Sequence, residues 1–323
     1  MKTKTASLTE TGSFQIVERD ISPASDEVMV RVAACGLCNW ELNHFEGRKG
    51  KLPMTLGHEW AGVVVGKGEK AGRFEIGDKV AYFPGGADAR LEGFSQYVCA
   101  KEQYCYKLNQ DVDVRYAICE PLKCISTVLR AAGPEAGDFG IVIGCGPMGL
   151  WCVQGLAGKL LAGLIAIDVD DRKLEYAARY GATATINSAR ENVVEKLKKI
   201  TGGHMADFII EGTGVTEVLN DAQEYLRMKR GRLVVMSSYK GPAAGFDFRR
   251  LGVRGGEIIS GMPMASADPA DDMRRAVELL NRGTFRVKDM VTHVFGLEEI
   301  QQAFETLKNK PEGYLKGIVL MEN

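Results

Sequence analysis

The chain has 323 residues, beyond the size at which a single hydrophobic core usually stops growing, so two domains are expected. With 45% hydrophobic residues, 26% charged residues and a net charge of −1, it has ordinary globular composition and no basic surplus for nucleic acid or anionic membrane. A small soluble ligand is the expected partner. No stretch approaches the roughly 20 uninterrupted apolar residues of a membrane span. The opening Met1-Lys2-Thr3-Lys4-Thr5 carries no signal-peptide core, so the expectation is a cytoplasmic protein whose eight cysteines are thiols or metal ligands rather than disulfides.

The N-terminal part reads as strands and loops. Val28-Met29-Val30-Arg31-Val32 and Ala61-Gly62-Val63-Val64-Val65 are β-branched runs, and Gly77-Asp78-Lys79-Val80-Ala81 joins a turn to a strand. After about Leu122 strands alternate with helices. Strands are expected at 141–143, 164–167, 184–186, 208–210, 233–236 and 258–259, with helical spacing over 147–159, 171–180, 189–200 and 216–228. Gly181 stands where a C-cap glycine belongs. Strands in βα alternation predict an α/β doubly wound parallel sheet. The tail returns to mixed structure, with a helix at 271–281, a strand at 291–295, a helix at 297–308 and a last strand at 317–321. There is no internal repeat and no low-complexity segment.

Gly140-Ile141-Val142-Ile143 runs directly into Gly144-Cys145-Gly146-Pro147-Met148-Gly149, and Leu150-Trp151-Cys152-Val153 opens a helix behind it. Alone, glycines at this spacing mark only a tight turn. Between a strand and a helix they predict a dinucleotide site: Gly144 permits the turn, Gly146 lets the backbone approach a pyrophosphate, and Gly149 allows close packing of the helix, whose N-terminus faces the anion. Asp168 closes the next strand, about 20 residues past the last glycine. A carboxylate there accepts hydrogen bonds from ribose hydroxyls and repels a 2′-phosphate, which favours NAD(H) over NADP. Arg172 and Lys173 lie close by in sequence and could reach a phosphate.

Upstream stand Cys35-Gly36-Leu37-Cys38, Gly57-His58-Glu59 and Glu120-Pro121-Leu122. Thiolate, imidazole and carboxylate are the ligand types of a catalytic zinc, which takes about three or four protein ligands and keeps one exchangeable position. Each is bland by itself: a CxxC can be two buried thiols, a histidine in a β-domain is commonly a hydrogen-bonded core residue, and Glu-Pro often just opens a turn. Their order ahead of the glycine turn carries the information.

On Ala34-Cys35-Gly36-Leu37-Cys38, Leu56-Gly57-His58-Glu59-Trp60-Ala61-Gly62, Gly77-Asp78-Lys79-Val80, Glu120-Pro121-Leu122 and the glycine turn, the chain resembles the medium-chain dehydrogenase/reductases over nearly its whole length, and within them the zinc-dependent polyol (sorbitol) and threonine dehydrogenase branch. The resemblance implies a GroES-like catalytic domain at 1–121 completed by 263–323, a Rossmann NAD-binding domain at 122–262, and an active site in the cleft between them. It implies that Cys38 and His58 bind zinc, and that Glu59 and Glu120 are exchangeable further ligands or orient the zinc water. Cys35 matches the family's non-ligand cysteine. Two departures stand out. The family's proton relay uses a Ser or Thr two residues after the ligand cysteine and a His three residues later, where this chain has Trp40 and Asn43. Glu41 replaces the usual Asp, and His44 is one place off. Trp40 could wall an apolar pocket and Asn43 bond a substrate hydroxyl, or both could only pack the loop. Secondly, 82–94 is short and free of cysteine, so the structural zinc lobe of many relatives is not expected.

The expected reaction is hydride transfer between NAD(H) and a secondary alcohol or ketone, with zinc as Lewis acid and Glu120 or Glu59 as proton carrier. Polyols, cyclitols, sugar derivatives and amino alcohols all suit it, and Phe83 and Lys123 are further pocket positions. Two other readings use the same scaffold: a zinc-free quinone or enone reductase that ignores Cys38 and His58, and a non-catalytic NAD-binding regulator, suggested by the missing relay. A redox-neutral reaction on a retained cofactor is a minority alternative. The apolar edge near 257–261, together with the resemblance, suggests a homodimer or homotetramer.

Overall fold

The computed structural model describes residues 1–158, 160–239, 241 and 245–321. The chain forms two compact units, one built by Met1–Lys123 together with the segment from Met273 onward, the other by Cys124–Asp272. The sequence reading divides the chain at 121/122 and 262/263 instead.

Along the first unit run β1 (Lys2–Glu10), β2 (Ser13–Asp20), β3 (Glu27–Gly36), α1 (Asn39–Phe45), β4 (Met54–Thr55), β5 (Trp60–Lys67), β6 (Lys79–Tyr82), β7 (Tyr97–Lys101) and β8 (Cys105–Lys107). The hairpin of β1 and β2 turns through Gly12 at φ +75°. Neither strand was expected from the sequence, because β2 is largely exposed and shows no clean alternation of apolar and polar residues. β3 is the opposite case. Val28, Val30, Val32, Ala34 and Cys35 are fully buried, since this strand pairs with both β5 and β7 and lies inside the sheet.

The second unit takes up the chain within α2 (Glu120–Ala132) and continues through β9 (Phe139–Ile143), α3 (Pro147–Leu156), β10 (Gly163–Asp168), α4 (Asp171–Arg179), β11 (Ala184–Asn187), α5 (Val193–Thr201), β12 (Phe208–Glu211), α6 (Thr216–Tyr225), β13 (Arg232–Val235), α7 (Phe248–Arg254), β14 (Glu257–Ser260) and the start of α8 (Pro269–Asn281). The six strands are ordered β11-β10-β9-β12-β13-β14, all parallel. The order reverses between β9 and β12, which is where doubly wound sheets open a ligand crevice at their carboxyl ends. Helices α3, α5 and α6 are shorter than their spacing suggests. α3 ends at Leu156 because Ala157 turns extended and Gly158 takes φ +67°. α5 begins at 193 because the Asn192 side chain caps it by accepting the Glu195 N–H, and α6 ends at 225 because Leu226 turns extended and bridges to Ala206. The last residue of the helix expected over 147–159 falls on Lys159, outside the described residues.

The tail adds β15 (Val291–Gly296), α9 (Ile300–Asn309) and β16 (Lys316–Leu320) to the first unit. β16 pairs antiparallel with β3, Val319 opposite Cys35, giving a sheet ordered β15-β16-β3-β5-β6-β8 with β7 also on β3. Phe45, Trp60, Phe94 and Phe304 belong to its core, and a separate core in the second unit gathers Ile141, Ile165, Ile209 and Leu233. The fold is α/β, with one β-rich domain and one doubly wound domain. Among the described residues no helix is long and apolar enough to cross a membrane.

Candidate active site

β3 ends at Gly36, and two residues later Cys38 serves as the N-cap of α1, its Sγ accepting the Trp40 N–H at 3.4 Å. The next strand, β5, lies antiparallel beside β3 with Trp60 opposite Cys35, so the segment entering β5, Gly57-His58-Glu59, arrives next to Cys38. Gly57 is held at φ +107°, and a Cβ there would fall 2.6 Å from the Phe94 nitrogen, so the approach requires glycine.

Glu41, three residues past Cys38 on α1 and fully buried, fixes the histidine. Its Oε1 accepts the N–H groups of Gly57 at 2.7 Å and His58 at 3.1 Å and lies 3.0 Å from His58 Nδ1. That leaves His58 Nε2 for the other side, where Glu120 Oε2 is 3.6 Å away and the Cys38 thiol is hydrogen-bonded to the ring. Glu59, 1% exposed, places its Oε2 2.6 Å from Lys316 Nζ. Donor atoms of Cys38, His58 and Glu59 all lie within 4.8 Å of one another.

Thiol, imidazole and carboxylate in one cluster, with Cys38 half-buried and His58 and Glu59 buried, fit zinc by donor type and by spacing. The electrostatics agree. Burial pulls the His58 pKa down, but Glu41, Cys38 and Glu120 outweigh it and hold the imidazole well above its ordinary value. Burial, joined by the Glu59 charge, raises the Cys38 thiol. The negative surroundings that stabilise a proton on His58 would stabilise a divalent cation in its place. Because Glu41 orients the ligand ring, Glu41→Ala is expected to weaken metal binding about 10–100-fold. Competition with a chromophoric chelator measures this, and an unaltered affinity would remove Glu41 from the role.

Sequence reasoning noted Glu41 only as a replacement for Asp; its spacing of three from Cys38 was the available signal. Lys316 gave none, being 257 residues from Glu59. Trp40 is 39% exposed and sets its ring edgewise to His58 at a centroid distance of 5.3 Å. Both polar atoms of Asn43 are engaged inside the chain, Nδ2 donating to the Asn39 carbonyl and Oδ1 accepting from Arg48. His44 is buried against Trp40. The Lys123 ammonium lies 5.2 Å from the centre of the Phe83 ring, both residues being buried. Cys35 is fully buried, and desolvation lifts its thiol well above the ordinary range, which argues against a redox pair with Cys38.

In the second unit the glycine turn connects β9 to α3 at the strand-order reversal. Gly144 has φ +92°, and a Cβ on Gly149 would lie 1.9 Å from the Gly144 carbonyl oxygen, so helix and turn touch at van der Waals limit. A Cβ on Gly146 would meet nothing within 4 Å, which leaves the N-cap of α3 open to a phosphate. Pro147 occupies the first helical position and Met148 the second. Asp168 closes β10 and is largely buried. Its Oδ2 accepts the Cys145 N–H at 2.7 Å, and its Oδ1 accepts those of Val169 at 2.8 Å and Asp170 at 3.0 Å. Lys173 Nζ stands 3.9 Å from Oδ1.

Residues 24–110 match the alcohol dehydrogenase GroES-like domain and residues 147–282 the zinc-binding dehydrogenase family. The chain is 28% identical to an uncharacterized zinc-type alcohol dehydrogenase-like protein of Escherichia coli, covering 99% of each chain. It is 26% identical to a sorbitol dehydrogenase of Halalkalibacterium halodurans over 93% of this chain and 94% of that one. A crystal structure of an Escherichia coli oxidoreductase/dehydrogenase of unknown specificity superimposes with a TM-score of 0.89 at 26% identity over the full length of both. The two family matches define a zinc-type dehydrogenase. The chain belongs to the zinc-dependent alcohol dehydrogenase superfamily of medium-chain dehydrogenase/reductases, and is accordingly an oxidoreductase.

Proposed function

We propose that this chain is a zinc- and NAD(H)-dependent dehydrogenase of the polyol type, interconverting a secondary alcohol and its ketone. The observation that carries the reading is the convergence of Cys38, His58 and Glu59 within 4.8 Å, with Glu120 3.6 Å from His58 Nε2. Its kinship with a sorbitol dehydrogenase supports the substrate class. Cys38 and His58 would hold the metal, with Glu59 or Glu120 completing the set. When bound, zinc supplies a Lewis acid for the substrate oxygen and nicotinamide the hydride acceptor. Glu41 keeps His58 Nε2 aimed at the cluster. Glu120, whose Oε2 faces that nitrogen, is placed to take the alcohol proton in the absence of the Ser/His relay. Trp40 forms a wall beside His58; Asn43, spent on Asn39 and Arg48, is the weaker pocket candidate.

Asp168 supports NAD(H). A carboxylate has about four acceptor sites, and three are taken by backbone N–H groups, so one remains for a ribose hydroxyl while its charge opposes a 2′-phosphate. Asp168→Ala is therefore expected to raise the NADP-to-NAD ratio of kcat/KM by about tenfold; a constant ratio counts against Asp168 as the selector. The exposed edge strand β14, with Ile258 on it, is our candidate for self-association.

The whole reading is tested on protein purified without chelators. Metal analysis should find about one zinc per chain, and an NADH-absorbance screen over polyols and their ketones should show turnover that a chelator removes. Zinc-free protein that reduces quinones or enones supports the second enzyme reading. Tight NADH binding without turnover across the panel supports the regulator.

A further inference from the structure

Glu211 is the last residue of β12, the strand beside β9 on the far side of the order reversal, and it is fully buried. Its partners are donors. Oε1 accepts the Thr213 N–H at 2.7 Å and the Thr213 hydroxyl, and Oε2 accepts the Tyr239 hydroxyl. Burial, reinforced by that bond, raises the Tyr239 phenol far above its ordinary range, so it stays a donor. One carboxylate thus ties together the loops that follow β12 and β13, which also touch directly: a Cβ on Gly214 would lie 3.1 Å from the Ser238 carbonyl oxygen. The first loop packs on the glycine turn as well. The Gly212 N–H bonds the Ile143 carbonyl at 2.8 Å, and a Cβ on Gly144 would lie 3.0 Å from Thr213 Cγ2. Among the described residues, Glu211 is met by two hydroxyls and one N–H, with no cation paired to it.

A buried carboxylate held by neutral donors keeps its field, which reaches further in low-dielectric surroundings than in water. The way a dinucleotide lies across this sheet follows from the strand order β10-β9-β12. With its adenosine ribose at Asp168 on β10 and its pyrophosphate at the turn after β9, its nicotinamide half runs onto β12 and the loop behind it. The oxidised ring is a cation and the reduced ring is neutral. We propose that Glu211 is a specificity-determining residue for the oxidation state of the cofactor, its buried charge favouring NAD⁺ over NADH while its bonds to Thr213 and Tyr239 fix the two loops beside the ring. The inference rests on the NAD(H) reading above. Hydride transfer from the alcohol to the bound cofactor removes the positive charge that Glu211 stabilises, so the equilibrium on the enzyme leans toward alcohol and NAD⁺.

The test measures dissociation constants of NAD⁺, NADH and ADP-ribose on the full-length protein by titration calorimetry. Glu211→Gln keeps the shape and removes the charge. It should weaken NAD⁺ about tenfold relative to NADH, a difference of about 1.4 kcal/mol, and leave ADP-ribose, which lacks the ring, at its wild-type affinity. Tyr239→Phe should move the NAD⁺-to-NADH preference the other way, because the carboxylate keeps its charge and loses a donor that offsets it. This arm decides the matter if Glu211→Gln does not fold. Equal weakening of NAD⁺ and NADH in Glu211→Gln would mean that Glu211 only props the loops, and it overturns the proposal while the NAD(H) reading stands; so does a Tyr239→Phe preference that is constant or turns toward NADH. Wild type that binds none of the three ligands removes both.

Discussion

His58→Ala is expected to abolish turnover and metal binding together, lowering kcat/KM by about 10³-fold or more, while NADH still binds. The size follows from what the cluster does. A Lewis acid at the reacting oxygen supplies several kcal/mol of transition-state stabilisation, and each 1.36 kcal/mol or so is tenfold in rate. His58 is the centre of the cluster: its Nδ1 meets Glu41, its Nε2 faces Glu120, and its ring is bonded to the Cys38 thiol. Removing the ring therefore strips a ligand and takes away the group that lies between the Glu41 and Glu120 carboxylates. NADH binding is spared because the glycine turn and Asp168 belong to the other compact unit. Titration of NADH fluorescence, metal analysis and steady-state rates separate the outcomes. A variant that keeps its zinc, or keeps its rate without zinc, would sink the assignment of His58.

How much of this was legible in the sequence depended on the distance over which each feature is specified. The parallel sheet was readable because its strands are short apolar runs, such as Ile141 to Ile143 and Leu164 to Ile167, punctuated by glycine and amphipathic helices. The residues of the candidate cluster were readable as chemistry, since a thiol at Cys38 and an adjacent imidazole and carboxylate at His58-Glu59 stand in order ahead of the glycine turn. What their sequence order could not convey is who holds them. Glu41 bonds the His58 ring from a helix of only seven residues that begins with a cysteine cap and has no periodicity to announce it. Lys316 reaches Glu59 only because β16 pairs with β3, a register that no local pattern fixes. The Asn43 reading shows the converse: an amide five residues past Cys38 looks available in sequence, but Arg48 and the Asn39 carbonyl consume it once the helix forms. Asp168 lies between these cases. Its place at the strand end was evident, whereas its three backbone bonds follow from the turn geometry.

Gly149→Ala is expected to cost about 100-fold in NADH affinity and about 1–3 kcal/mol in the stability of the second unit. The added methyl would sit 1.9 Å from the Gly144 carbonyl oxygen, a backbone atom that cannot rotate aside. Helix α3 must then lift off the turn by more than an ångström to reach ordinary contact. That movement displaces the N-cap at Gly146, where the phosphate is expected, and pulls on the Cys145 N–H that ties the turn to Asp168. The contrasting substitution is Gly146→Ala, whose Cβ meets no protein atom within 4 Å. It should leave stability near wild type yet still weaken the dinucleotide, since the space it fills is the one left for the ligand. Metal content should stay at the wild-type level in both, because Cys38, His58, Glu59 and Glu120 all lie in the first unit. Thermal unfolding, NADH titration and metal analysis on the two variants distinguish a packing glycine from a binding glycine. Equal NADH affinity in Gly146→Ala and wild type would move the phosphate away from this turn.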